Sequence, residues 1–190
     1  MDKKVDRRVL RTREAIKDAF FKLLDSKPVD KISVRELCDT ANINRASFYD
    51  HYLDYPDFLE SVEKEFANNM LAQYDKLFTR ADGAEEAMRK FLRLIRSSRE
   101  TKLLFSRVGG QSAIHIFEDA LKERIFPAWF QTEKISPEQA EFLFRYIISG
   151  GFALIQQWYE GGFSQPKDEI VTLMTTVITR GIYAFLYSEG

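Results

Sequence analysis

The sequence predicts an all-α protein of about nine helices: a small N-terminal three-helix unit at residues 1–53, then a larger helical bundle at 54–190. Three observations lead there. Apolar residues recur at three- and four-residue steps along almost the whole chain, and no segment sustains the strict alternation of a strand. The breaks between periodic stretches carry helix-cap residues, Gly and Pro. With 190 residues, 45% hydrophobic and 30% charged, the chain holds enough apolar material for a real core, which argues against disorder.

In the first segment Val9, Ile16, Ala19, Phe20, Leu23 and Leu24 mark one face of a helix over about 8–26, and Lys27-Pro28 stops it. Ser33 and Glu36 form a capping box that opens a second helix at 34–41, burying Val34, Leu37, Cys38 and Ala41. Asn42-Ile43-Asn44 interrupts it, because Asn tolerates the left-handed conformation of a tight turn. A third, short helix runs from Arg45 to Tyr52. Asp54 caps a fourth that reaches about Thr79, with Pro56 in its first turn. Asp82 and Glu85 form a capping pair for a fifth at about 84–98. A sixth covers about 100–107 and ends at Gly109-Gly110. A seventh spans about 112–131, broken or kinked at Pro127. Ser136-Pro137-Glu138-Gln139 combines cap, first-turn Pro and capping-box Gln, and opens an eighth that runs to about Glu160. Gly161-Gly162 ends it, and Pro166 opens the ninth, which closes near Tyr187.

Composition narrows the chemistry. A single cysteine, Cys38, excludes an intrachain disulfide and a Cys-based zinc site; it reads as a buried residue of the second helix. Two histidines 64 residues apart, His51 and His115, leave little for a metal cluster, so no metal and no cofactor are expected. HExxH, P-loop and GxSxG motifs are all missing, and no nucleophile–base pairing stands out, so an enzyme is not expected. The longest apolar run in the C-terminal half, Tyr146 to Ile155, is about half of a membrane span. The N-terminus lacks the apolar core of a signal peptide, and the expected setting is the cytoplasm.

Net charge is −1, but residues 1–53 carry +3 and residues 54–190 carry −4. Lys3, Lys4, Arg7, Arg8, Arg11 and Arg13 crowd the first thirteen positions. A basic end on an acidic body suits an anionic partner for that end, or is an ordinary solvated terminus. Residues 33–52 sharpen the choice, because they pack two short helices around a tight turn. In the second of them Phe48 and Tyr52, four apart, can face the core, which leaves Arg45, Ser47, Tyr49 and His51 to point elsewhere. So many donors on so short a helix suit an acceptor-rich surface such as the major groove of DNA.

The run ISVRELCDTANINRASFYDHYLDYPDFLESV, from Ile32 to Val62, resembles the DNA-binding domain of TetR/AcrR family transcriptional regulators. The likeness covers about residues 8–66: a long first helix, a V-x-x-L-x-x-x-A helix, an Asn-rich turn, and F-Y-x-H-Y before an Asp-capped fourth helix. The Gly-Gly-Gln at 109–111, the Ser149 to Ala153 stretch and Trp158-Tyr159 are similar to a C-terminal branch common in Firmicutes. The resemblance implies that Arg45, Ala46, Ser47 and Tyr49 touch bases and phosphates, with Tyr49 a phosphate contact, His51 beside it, and Ser33 a cap or a phosphate contact. Lys3, Lys4, Arg7, Arg8 and Arg11 are expected to follow the DNA backbone. Tyr55 stands where the family usually has a Lys against the backbone, and Asp50 adds a negative charge to the recognition helix.

For the C-terminal half the resemblance implies a cavity for a small-molecule effector and a two-fold interface. The dense aromatics are core residues first. Phe105, Phe117, Trp129, Phe152 and Trp158 are the candidate cavity walls, with His115 and Gln156 as candidate polar anchors. Gly150, Gly151 and Ala153, and Gly181 and Ala184, place small residues mid-helix, where each Gly costs up to ~1 kcal/mol relative to Ala and permits close helix approach. The resemblance puts them in a four-helix interface between two copies. The expectation is a homodimeric regulator on a palindromic double-stranded operator, a repressor released by a small apolar ligand. The alternative is a co-regulator of the same fold that acts through a protein partner and binds DNA weakly.

Overall fold

The computed structural model describes residues 7–77, 83–98, 101–105, 111–129 and 135–187, and among them all regular structure is helical. Lys3 and Lys4 lie outside the described residues, as do the side chains of Trp129 and Ala184. Among the described residues nine α-helices appear: α1 (Arg7–Leu24), α2 (Val34–Ala41), α3 (Arg45–Tyr49), α4 (Tyr55–Leu77), α5 (Ala84–Ser97), α6 (Thr101–Leu104), α7 (Gln111–Trp129), α8 (Pro137–Glu160) and α9 (Lys167–Tyr187). None of them is long and apolar enough to cross a membrane.

The chain divides into two compact units. One holds Met1–Asn68 with Arg99–Ile114, the other Asn69–Ser98 with His115–Gly190. In the first, α1 buries Ile16, Ala19, Phe20 and Phe21. A short 3-10 turn over Val29–Lys31, which the sequence reading did not anticipate, follows the extended Pro28. The Ser33 capping box then starts α2, and Asn42, at φ 54° and ψ 47°, ends it in the left-handed conformation. Asn44 caps α3 by accepting from the Ser47 N–H at 2.7 Å. This helix stops at Tyr49, three residues short of the expected end. Asp54 opens α4 by accepting from the Asp57 N–H, while the Asp57 carboxylate accepts from the Leu53 N–H, both at 2.9 Å.

An aromatic cluster centres this unit. Phe58 meets Phe20 at 5.4 Å, Tyr52 at 5.1 Å and Phe48 at 6.0 Å between ring centres, so one residue of α4 locks α1 and α3 together. Cys38 is buried in the same core, and burial pushes its thiol above the usual range. Leu103 of α6 packs into it too.

The second unit buries Leu92 and Ile95 of α5, Phe117 of α7, Phe144, Ile148, Ile155 and Trp158 of α8, and Val171 and Met174 of α9. Gly83 stands at the cap of α5 and makes no side-chain cap bond; Asp82, expected to cap it, lies outside the described residues. Arg89 joins α5 to α9 through Asp168 and also pairs with Glu85 at 2.9 Å. Lys122 joins α7 to α8 through Glu141 at 2.5 Å, and this Lys, with Arg145, holds the Glu141 carboxyl below its usual range. Between α8 and α9, Gly162 and Phe163 both take positive φ, 64° and 58°. For Phe that is a strained conformation. Its ring offsets the cost by packing edge-on to Trp158 at 4.8 Å, while the Trp158 Nε1–H donates to the Gln165 carbonyl at 2.9 Å.

Candidate nucleic-acid interface and effector cavity

The face of α3 follows from what it buries. Phe48 is fully buried and Tyr52, just beyond the helix, nearly so. Arg45, Ala46, Tyr49 and Asp50 are therefore exposed, with Ser47 half-buried beside them. The Arg45 Nη2 donates to the Tyr49 hydroxyl oxygen at 3.4 Å, and the guanidinium lies 6.0 Å from the Tyr49 ring centre. That contact uses the phenol oxygen and not its hydrogen, which still suits an external acceptor such as a phosphate. His51 is half-buried, its ring 6.3 Å from Tyr52, and Arg13 lies over the other partner of that pair at 5.3 Å. Arg7, Arg8 and Arg11 are exposed at the start of α1.

Two expected contacts are placed differently. The Ser33 hydroxyl donates to Glu36 Oε2 at 2.8 Å and accepts from the Glu36 N–H at 3.3 Å. Its hydrogen is committed to the cap. Lys27 pairs with the same carboxylate, and Lys27 together with Ser33 lowers the Glu36 pKa to about 2. Tyr55 turns inward: its hydroxyl donates to the Val29 carbonyl at 2.7 Å, and burial raises its pKa. It ties α4 to the 3-10 turn instead of reaching a DNA backbone.

The second unit holds a cavity of about 340 Å3 between α5, α7, α8 and α9. Met88 and Phe91, Leu121, Ile148, Gly151, Phe152 and Ile155, and Met174, Thr175, Ile178 and Thr179 are among its lining residues. Of the expected walls whose side chains are described, only Phe152 lines it. Phe117 supports that wall from behind, its ring 6.4 Å from Phe152. Trp158 is spent on the α8–α9 turn, and Phe105 is buried in the first unit. Neither expected polar anchor is there. His115 is exposed and faces Glu118 at 3.4 Å, and Gln156 donates to Glu160 at 3.0 Å.

Gly151, expected at the interface, lines the cavity, where an added Cβ would stand 3.4 Å from Met174 Cε. Gly150 and Gly181 have nothing within 4 Å of an added Cβ, and Ala153 is exposed. They share outward faces with large apolar side chains: Phe142 and Tyr146 of α8, 66% and 74% exposed, and Leu173 and Val177 of α9, 50% and 57% exposed. Four-residue steps align Phe142, Tyr146 and Gly150 on α8, and Leu173, Val177 and Gly181 on α9.

Residues 82–180 match TetR_C_8, described as a transcriptional regulator C-terminal region. The chain belongs to the TetR family of transcriptional regulators. Over 62 residues the chain is 40% identical to the uncharacterized HTH-type transcriptional regulator YxbF of Bacillus subtilis, a match that spans 32% of this chain and 16% of that relative. Among solved structures, a TetR transcriptional regulator from Streptococcus agalactiae superposes with a TM-score of 0.71 at 22% identity, covering 91% of this chain and 96% of that one. The fatty acid degradation regulator FadR from Bacillus halodurans gives 0.67 at 11% identity over 90% and 95%. RolR in complex with its ligand resorcinol gives 0.55 at 18% identity over 88% and 87%. At these identities the superpositions speak to the fold.

In this TetR-family protein the cavity walls that sequence reasoning missed are spread over α5, α7, α8 and α9. Met88 and Phe91 were visible as the apolar stripe of the fifth helix. The α9 walls carried a usable signal too, since Met174, Thr175, Ile178 and Thr179 recur at helical steps, but with two hydroxyls and no aromatic ring among them.

Proposed function

We propose that this TetR-family protein is a homodimeric repressor that binds a palindromic operator and leaves it when a small apolar effector enters the cavity of the second unit. Residues 1–53 form the DNA-binding head and 54–190 the effector-binding and dimerising domain. The reading is carried by the coexistence of a donor-rich exposed α3 face in the first unit and an apolar cavity in the second. Arg45, Ala46 and Ser47 meet base edges. Tyr49 and His51 meet phosphates, and Arg7, Arg8 and Arg11, with Lys3 and Lys4, follow the backbone. Ser33 serves its helix as a cap. The outward faces of α8 and α9 pair with their copies across a two-fold axis. Effector binding favours a dimer whose two heads do not match the operator spacing, a population shift between pre-existing states.

The co-regulator reading is favoured by two observations: the carboxylate of Asp50 exposed at the end of α3, and the inward Tyr55 where the resemblance leads one to expect a Lys. Both remove affinity for DNA. One experiment separates the readings. Selection by the full-length protein from a pool of random duplexes at low salt enriches a two-fold symmetric site on the repressor reading. Failure to enrich any sequence, with no duplex bound at low salt, rejects it in favour of the co-regulator.

A further inference from the structure

Resting on the cavity as the effector site, we infer that its ligand is an uncharged molecule with an apolar body and a hydrogen-bond donor, seated against Thr175 and Thr179 of α9. Apart from these two threonines, every residue that lines the cavity among those described is apolar, and none is charged. A carboxylate or ammonium entering it would lose its water without gaining a partner, which strongly disfavours charged ligands.

The threonines set the polar requirement. The Thr175 hydroxyl donates to the Val171 carbonyl at 2.8 Å, and the Thr179 hydroxyl donates to the Thr175 carbonyl at 2.6 Å. A hydroxyl has one hydrogen and two lone pairs. Each hydrogen is spent on the helix, so what the side chains still offer is acceptor capacity. One helical turn separates the two oxygens, and both residues face the same cavity. A ligand that donates keeps both intrahelical bonds. A ligand that only accepts must break one of them to gain its own, for little net return. The volume of about 340 Å3 holds on the order of ten non-hydrogen atoms, at ~30 Å3 for each water-sized group. Met88 and Met174 in the wall are flexible enough to fit bodies of differing shape.

Three probes of similar size test this on the full-length protein by titration calorimetry: 4-butylphenol, its non-donating isomer 4-propylanisole, and the anion 4-propylbenzoate. The phenol is expected to bind about tenfold tighter than the anisole, and the benzoate not measurably. Thr175→Val and Thr179→Val keep the side-chain shape and remove the acceptors, so together they are expected to erase the preference while leaving anisole binding intact. Gly151→Phe fills the cavity and is expected to abolish binding of the phenol. Equal binding of phenol and anisole, both lost in Gly151→Phe, overturns the donor requirement and leaves the effector cavity standing. Tightest binding by the benzoate overturns the uncharged class. If no probe binds the wild type, or if the phenol still binds a folded Gly151→Phe variant, the effector-cavity reading falls and the inference with it.

Discussion

If the outward face of α9 belongs to the proposed two-fold interface, replacing Leu173 by Glu is expected to convert the dimer to monomer. Leu173 is 50% exposed on α9, so the protomer alone has already buried about half of it. Full burial of a Leu is worth roughly 1.5–3 kcal/mol, which leaves ~1 kcal/mol for the interface to gain. A two-fold interface contains the residue twice, so its loss removes about 2 kcal/mol. The introduced carboxylates would also be drawn out of water without a cation to meet them, at a cost of at least a few kcal/mol more. A total of at least ~4 kcal/mol weakens dimerisation by about a thousandfold, since 1.4 kcal/mol is tenfold. Sedimentation at micromolar concentration reads the result directly. Ser97→Glu, exposed on α5, serves as the charge control and is expected to remain dimeric. Circular dichroism checks that Leu173→Glu still folds, as expected for a residue outside the core. A Leu173→Glu protein that sediments as a dimer like the wild type refutes the assignment of this face, and a monomeric wild type refutes it more simply.

Three further outcomes follow from the head. Arg45→Ala is expected to cost roughly 1–3 kcal/mol on a selected site and far less on random duplex, whereas Asp50→Asn tightens all duplexes alike if Asp50 only repels phosphate; fluorescence anisotropy across salt concentrations distinguishes the two. The Glu36 pKa, lowered to about 2 from 4.5, contributes stability that is present above pH 4.5 and lost as pH falls toward 2. Glu36→Gln should flatten the fall in melting temperature over that window, and an unchanged pH profile would show that the cap carries no such linkage. Tyr55→Phe removes the 2.7 Å bond to the Val29 carbonyl and is expected to lower stability by about 1 kcal/mol in urea unfolding, with the salt slope of DNA binding unchanged.

The fold was legible because its signals are local. The Ser33 and Ser136 capping boxes, the Asn42 turn and the Asp54 cap each name a helix end within four residues, and each is found where the sequence puts it. α3 is shorter than expected because the His51 and Tyr52 N–H groups both turn onto the Phe48 carbonyl, with Tyr52 held by its contact with Phe58, which lies outside any local pattern. The 3-10 turn at Val29–Lys31 is closed by its own backbone bonds and also receives the Tyr55 hydroxyl from 26 residues away, a partner that nothing near it in sequence announces. The same distance explains Tyr55 itself: its place in the motif suggested a surface contact, and its actual partner became visible only in three dimensions. In the second unit, aromatic content proved a poor guide to the cavity. Trp158 and Phe163 close a turn, Phe105 belongs to the other unit, and the walls are made largely of Met, Ile and Thr from helices far apart in sequence.

Gly150 and Gly151 show how fine that distinction is, and they offer a test that separates the two roles of α8. Adjacent residues on a helix point about 100° apart. One step is enough to turn from the outward face shared with Phe142 and Tyr146 to the cavity wall opposite Met174. Helical periodicity alone tolerates either assignment, because α8 is apolar on more than one side. The two substitutions are therefore expected to have opposite effects. Gly150→Leu adds a branched side chain where a partner helix would approach closely; it should weaken the dimer and leave 4-butylphenol binding unchanged. Gly151→Leu projects toward Met174 and into the cavity; it should weaken the phenol at least tenfold and leave the dimer intact. Both also gain up to ~1 kcal/mol of helix propensity over Gly, so loss of fold does not explain either loss of function. Sedimentation and calorimetry on the two variants check the pair together. If both variants lose the dimer and keep the phenol, Gly151 belongs to the interface after all and the cavity wall has been misassigned.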